Sequence, residues 1–225
     1  MSNTNPRQKP PLAGHHGGPL DWRRLVEWLQ QDGVISADEA QRITARCAQA
    51  ESVQHPLVRL ASVSVRRASD GKALDIELLT QWLARRAGLD YLRIDPLKVD
   101  VGKVAETMSA AYAERHRILP VQVSPTEVVV AVTEPFVVDW LAEVERQSRR
   151  TVRRVLSSPQ EIHRYTAEFF SLAKSVKAAN KAGGNVGGAS FEQLVELGKS
   201  NKQIDANDQS VVQVVDWLWQ YAFDQ

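Results

Sequence analysis

A chain of 225 residues is long enough for one or two domains, and 43% hydrophobic with 24% charged residues is the composition of an ordinary globular protein. Its 28 basic and 27 acidic side chains leave a formal net charge of +1, which excludes a whole-chain field that would steer it to nucleic acid or an anionic membrane, so any anion binding needs a local patch. The single cysteine, Cys47, excludes an internal disulfide framework and a Cys-rich zinc site, and reads as a small buried hydrophobe in a reducing compartment.

Residues 1–19 hold four Pro and three Gly among few large apolar groups, so they bury too little surface to offset ordering entropy and are predicted to be a disordered tail. His15 and His16 have no acidic or Cys partner there and are read as solvated, and no metal site is expected. No apolar run approaches the roughly 18 to 20 residues of a membrane span, and the start lacks a charged-then-apolar signal. The expected location is the cytoplasm, with no direct membrane insertion.

Residues 20–88 are expected to be a helical subdomain. Trp22, Leu25, Trp28 and Leu29 recur at helical spacing, Gly33 ends that helix, and Ser36 caps the next with Glu39 at the capping-box position. After a less periodic helix-then-loop stretch containing Arg66 and Arg67, read as solvated, a helix over 74–87 turns Leu78, Leu79, Trp82 and Leu83 inward. It starts near Asp75 and is capped by Gly88.

Beyond Gly88 the pattern changes to alternation, and residues 89–179 are expected to be an α+β domain. Tyr91 to Ile94, Ile118 to Val123, Glu127 to Val132 and Thr151 to Leu156 read as strands, with helices at 103–116, 136–148 and 158–179. The turn Ser124-Pro125-Thr126-Glu127 predicts a hairpin between the second and third strands. The fold class is therefore α+β: a helical subdomain, then a small sheet of three to four strands with helices on one face, then a linker and a terminal helix.

Residues 180–190 are a linker by composition, and 191–225 read as the start of a next domain. There Val211, Val214, Val215, Leu218 and Ala222 make one apolar stripe, and Asp224 at the end supplies no stop signal, so the domain is expected to continue past Gln225. Gly183 and Gly188 have the spacing of a phosphate-binding loop, but Ala189 stands where the lysine must be and no buried strand precedes them. His55, His116 and His163 are far apart with no nucleophile and base readable around them, and Glu143 and Glu145 read as solvated on different sides of a helix. No catalytic residue is assigned, and no enzyme activity is expected of these residues.

The stretch from Tyr91 to Phe170, with Arg117, Leu119 and Pro120 entering a hairpin and Ala131-Val-Thr-Glu-Pro135 after it, followed by the terminal helix from Asp205, resembles the N-terminal part of type II secretion and type IV pilus assembly ATPases. The resemblance spans roughly Trp22 to the end. It implies a non-catalytic regulatory or docking region, with ATP and magnesium bound only in a further domain. It also implies a parent hexamer, held at the inner membrane through the cytoplasmic part of a platform protein. The docking surface is expected at 136–148 and the sheet edge.

Residues 24–46 also resemble a cyclic-di-GMP-binding module found at the front of some of these ATPases, whose motif runs Arg-Leu-Gly-x-x-Leu-x-x-x-Gly-Leu-Ile. Arg24, Leu25, Leu29, Gly33, Val34 and Ile35 match in register; Val26 replaces the glycine. A weaker second copy matches at Leu57, Leu79, Leu83 and Gly88, with Val58 for Gly and Arg86 for Gln. The resemblance implies Arg24, Leu25, Leu29, Gly33, Ile35, Leu57, Leu79 and Leu83 as dinucleotide contacts, an arginine plane stacking on guanine or pairing with phosphate above an apolar floor. The alternative is an α-hairpin whose Arg24 is merely exposed and whose leucines are core.

Overall fold

The computed structural model describes residues 17–49 and 52–182, with side chains as far as Ala178. The tail before Gly17 with His15 and His16, most of the linker, the Gly183–Gly188 stretch and the terminal helix lie outside the described residues. The described residues up to Lys177 form one compact unit, and only the last turn of one helix is described beyond it.

Four helices come first. Helix α1 (Trp22–Gln31) begins at Asp21, whose carboxylate accepts the Arg23 amide at 2.7 Å, and ends at Asp32 and Gly33, the glycine taking φ +67°. Helix α2 (Ala37–Ala48) is capped by Ser36 Oγ, which accepts the Glu39 amide at 3.2 Å. The reciprocal half of the capping box does not form: Glu39 instead accepts Arg42 Nε and the Arg66 backbone N–H, each at 2.6 Å, tying α2 to the loop at 63–74. Helix α3 (Pro56–Ser62) has Pro at its first turn, where no amide is lost, and helix α4 (Ile76–Ala87) runs from the Asp75 cap to Gly88 at φ +67°. Between α3 and α4, Arg66 pairs with Ala73 in a single antiparallel bridge, and Arg67 lies 3.5 Å from Asp70.

The strands β1 (Asp90–Tyr91), β2 (Ile118–Val123), β3 (Glu127–Val132) and β4 (Thr151–Leu156) form one mixed sheet in the order β1-β4-β3-β2. The β2–β3 hairpin is antiparallel, with a bulge between Pro120 and Gln122, and its turn closes as expected: Ser124 Oγ accepts the Glu127 amide at 2.9 Å. Strand β4 lies parallel to both β3 and β1. The first strand is shorter than its sequence suggests, because the Ile94 amide turns out of the ladder to the Glu161 carboxylate and Pro96 begins a short 3-10 turn.

Three further expectations are corrected. The helix over 103–116 is two helices, α5 (Val101–Thr107) and α6 (Ala110–His116), because Met108 is extended and Ser109 Oγ starts a new helix by accepting the Tyr112 amide at 3.2 Å. Helix α7 (Leu141–Ser148) begins later than 136, since the chain after Pro135 makes a turn in which Trp140 Nε1 donates to the Val137 carbonyl at 3.1 Å. Helices cover both faces of the sheet, not one. Val128, Val130 and Val132 of β3 point into one core, while Val129 and Ala131 point into a second, with Ile162, Tyr165 and Phe169 of α8 (Pro159–Ala182). A strand buried on both sides reads as a continuous apolar run, and Val128 to Val132 is one.

The first of these cores is continuous from Leu20 through the helices to the sheet. Leu25, Leu29, Ile43, Leu57, Leu60, Leu79 and Leu83 are all fully buried in it, alongside Trp140, Val144 and Leu156. Cys47 lies in this core at 2% exposure, as a small hydrophobe.

Candidate functional site

The side chains that α1 and α4 bring together make the strongest candidate site. Arg24 and Trp28 are four residues apart on α1 and so share a face; the Arg24 guanidinium lies 5.2 Å from the Trp28 ring centroid. Arg86, near the end of α4, places its guanidinium 4.8 Å from the same ring. Trp28 is 7% exposed, so its indole forms the base of a patch whose charged groups come from two helices.

Acceptors hold one of those arginines. Asp32, at the C-terminal end of α1, ion-pairs with Arg86 through Oδ1 and accepts Trp82 Nε1–H on Oδ2 at 2.9 Å. Gln31 Oε1 accepts from Arg86 Nη2 at 3.2 Å. Arg24, by contrast, has no hydrogen bond or ion pair among the described residues beyond its place on Trp28. A second tryptophan on α1 is treated the same way: Trp22 has the Arg23 guanidinium 4.4 Å and the Arg59 guanidinium 5.0 Å from its ring.

Of the eight residues proposed from the sequence, the fold brings Leu25, Leu29, Ile35, Leu57, Leu79 and Leu83 into one cluster, and each is 2% exposed or less. They face protein in this structure. Gly33 is exposed at the turn after α1, and Arg24 is half-buried at the rim. The sequence did not single out Trp28, Asp32 or Trp82 as site residues. Spacing on α1 could have paired Arg24 with Trp28, but nothing local connects either to Arg86.

The turn after β3 links this patch to the sheet. Phe136 meets Trp28 edge-on, and Glu134 Oε2 accepts the Leu20 amide at 2.8 Å while its Oε1 stands 3.2 Å from His55 Nε2, without hydrogen-bond alignment. His55 Nδ1 accepts the Leu57 amide at 3.2 Å, so in the neutral ring the proton sits on Nε2, toward Glu134. The Pro135 carbonyl accepts from Arg154 at 2.8 Å, and burial pushes that guanidinium's pKa down.

The remaining histidines do not join this arrangement: His116 packs on Tyr112 at 4.4 Å and His163 is exposed. Glu143 and Glu145 are not solvated as expected. Glu143 accepts the Tyr112 hydroxyl at 2.9 Å and Glu145 accepts the Val152 amide at 3.1 Å, joining α7 to α6 and β4. Among the described residues no group of three or more His, Cys, Asp or Glu is placed to hold a metal. Outside them, Gly198, Lys199 and Ser200 form a Gly-Lys-Ser triplet with Gln193 where a phosphate-binding loop needs its first glycine.

Residues 87–176 match the MshEN domain family. Over 213 residues it is 35% identical to the type IV pilus assembly ATPase TfpB of Acinetobacter baylyi, a match covering 92% of this chain and 36% of that protein. The resemblance read from the sequence therefore stands: the chain is homologous to a pilus assembly ATPase and spans about a third of its relative's length. Two solved structures are more distant. One, described as MshE with cdg, is 16% identical with a TM-score of 0.46 and covers 65% of this chain and 98% of its own. The other, the N-terminal domain of XpsE, is 15% identical with a TM-score of 0.42 and covers 64% of this chain and 92% of its own. The MshEN domain as matched begins at Ala87, so its span takes in the sheet, α5 to α7 and most of α8, while Arg24, Trp28 and Arg86 precede it. Among the described residues no helix is long and apolar enough to cross a membrane.

Proposed function

We propose that the helices before the MshEN domain bind cyclic-di-GMP and pass its presence to the sheet, making this a non-catalytic regulatory region of a secretion or pilus ATPase. The observation that carries this reading is the seating of two guanidinium groups, Arg24 and Arg86, on the one indole of Trp28. A guanine base and a phosphodiester need a flat cationic group to stack on and a forked donor to bind, and arginine supplies both. The match of Arg24, Leu25, Leu29, Gly33 and Ile35 to the dinucleotide motif supports the same assignment. Because Leu25, Leu29, Leu57, Leu79 and Leu83 are fully buried, their part in this reading is to fix the helices that present the arginines.

Calorimetric titration with cyclic-di-GMP tests the reading. Wild type should bind, and Arg24→Ala and Arg86→Ala should each weaken binding by about tenfold or more, the scale of a lost charge-assisted contact. No heat with wild type would remove the proposal.

A second reading is docking onto the cytoplasmic domain of an inner-membrane platform protein, with ATP and magnesium handled by a domain elsewhere in a hexameric parent. The turn leading into α7 supports it, since Val138 is 46% exposed there beside buried Trp140. Val138→Glu in the intact chain should abolish retention of the platform domain in a pull-down; undiminished retention would exclude this surface.

A further inference from the structure

We infer that Asp32 is a built-in competitor for the anion this patch would take, an inference that rests on the dinucleotide reading above. The two arginines on Trp28 are not equivalent. Arg24 has no acceptor among the described residues, while Arg86 is occupied by the Asp32 carboxylate and by Gln31. A carboxylate and a phosphodiester both present two oxygens to a guanidinium fork, so they compete for the same donors.

The placement of Asp32 favours this role over a purely architectural one. As the residue that ends α1, it puts a negative charge at the helix end where the backbone dipole is already negative. Arg86 and Trp82 hold it there. The side chains of Asp32 and Arg86 are 33% and 16% exposed, so the pair sits at the rim, where solvent and ligand can reach it. Arg86 Nε is buried without an acceptor, one donor left unused by Asp32. A ligand phosphate must displace Asp32 from Arg86, while Arg24 can be engaged at once. Affinity is thus set by an internal carboxylate as well as by the contacts made.

Asp32→Asn keeps an oxygen for Trp82 Nε1–H and removes the charge. Titrated with cyclic-di-GMP, it should bind about two- to five-fold more tightly than wild type, the range for releasing one partly exposed ion pair. Asp38→Asn, an exposed acid on α2, should leave affinity unchanged. Gln31→Glu, which adds a second carboxylate beside Arg86, should weaken binding and gives an independent arm should Asp32→Asn unfold. Equal or weaker binding by a folded Asp32→Asn, or unchanged binding by Gln31→Glu, overturns the competitor role while leaving the dinucleotide reading intact. Wild type without heat removes both.

Discussion

Phe136 meets Trp28 edge-to-face, their ring centroids 5.8 Å apart at an interplanar angle of 76°. Through this contact α1, carrying the candidate site, touches the turn that leaves β3, so a change at the indole has a direct route to the sheet. Edge-on aromatic pairs contribute about 0.5–1.5 kcal/mol beyond the area they bury. A double-mutant cycle with Trp28→Leu and Phe136→Leu, read by urea unfolding, should give a coupling in that range. Additive single effects would mean that the rings are neighbours without energetic connection.

Glu134 makes the second connection across the same turn. Its carboxylate takes the Leu20 amide and faces His55, and its side chain is only 11% exposed. Glu134→Ala would leave a buried amide without its acceptor and His55 facing a void, so it should cost about 2–4 kcal/mol. Glu134→Gln retains a carbonyl oxygen for Leu20 and should lose less. Equal losses for the two variants would show that the amide of Leu20 is not what the carboxylate serves.

Much of this architecture is legible from local pattern. Alternation placed β2, β3 and β4 at their observed bounds, and Ser36, Asp75 and Gly88 mark helix ends because capping is chemistry between residues a few positions apart. One miss was itself local, and the others depended on partners far away in sequence. The periodicity of 103–116 continues across Met108, and only the competing hydroxyl of Ser109 breaks it. Val128 to Val132 could have indicated burial on both faces, but which helices cover them is a matter of tertiary packing. The same limit governs the site. The resemblance to a dinucleotide-binding motif brought leucines of α1 and α4 into one expected site, but leucine spacing cannot separate a ligand floor from a core, and the Trp28–Arg86 contact joins residues with no local relation.

Glu39 supplies an acid-sensitive prediction. The hydrogen bond from Arg42 holds its carboxyl below the usual range, with the backbone N–H of Arg66 adding to the effect against the opposing cost of burial. A depressed folded-state pKa means that the unfolded chain binds the proton first as pH falls, so the stabilisation is present at neutral pH and is lost on acidification through the folded value. Glu39→Gln should destabilise by about 1–2 kcal/mol at neutral pH. The difference from wild type should shrink as pH falls below 4.5, the unperturbed value. A gap that stays constant down to the acid transition would assign the loss to packing.

Tyr112 gives the opposite case at the alkaline end. Burial, then the hydrogen bond its hydroxyl donates to Glu143, pushes its pKa up to about 12 from an ordinary 10.0. Below pH 10 folded and unfolded chains both hold the phenol proton; between there and about 12 the unfolded chain releases it first, so stability falls as pH rises through that window. Tyr112→Phe lacks this phenol, and its unfolding free energy should decline less steeply than that of wild type across the same range. Glu143→Gln removes the charged acceptor but not the burial, so phenolate absorbance should report a tyrosine pKa lowered only part of the way. A complete return to the ordinary value would make Glu143, and not desolvation, the main cause.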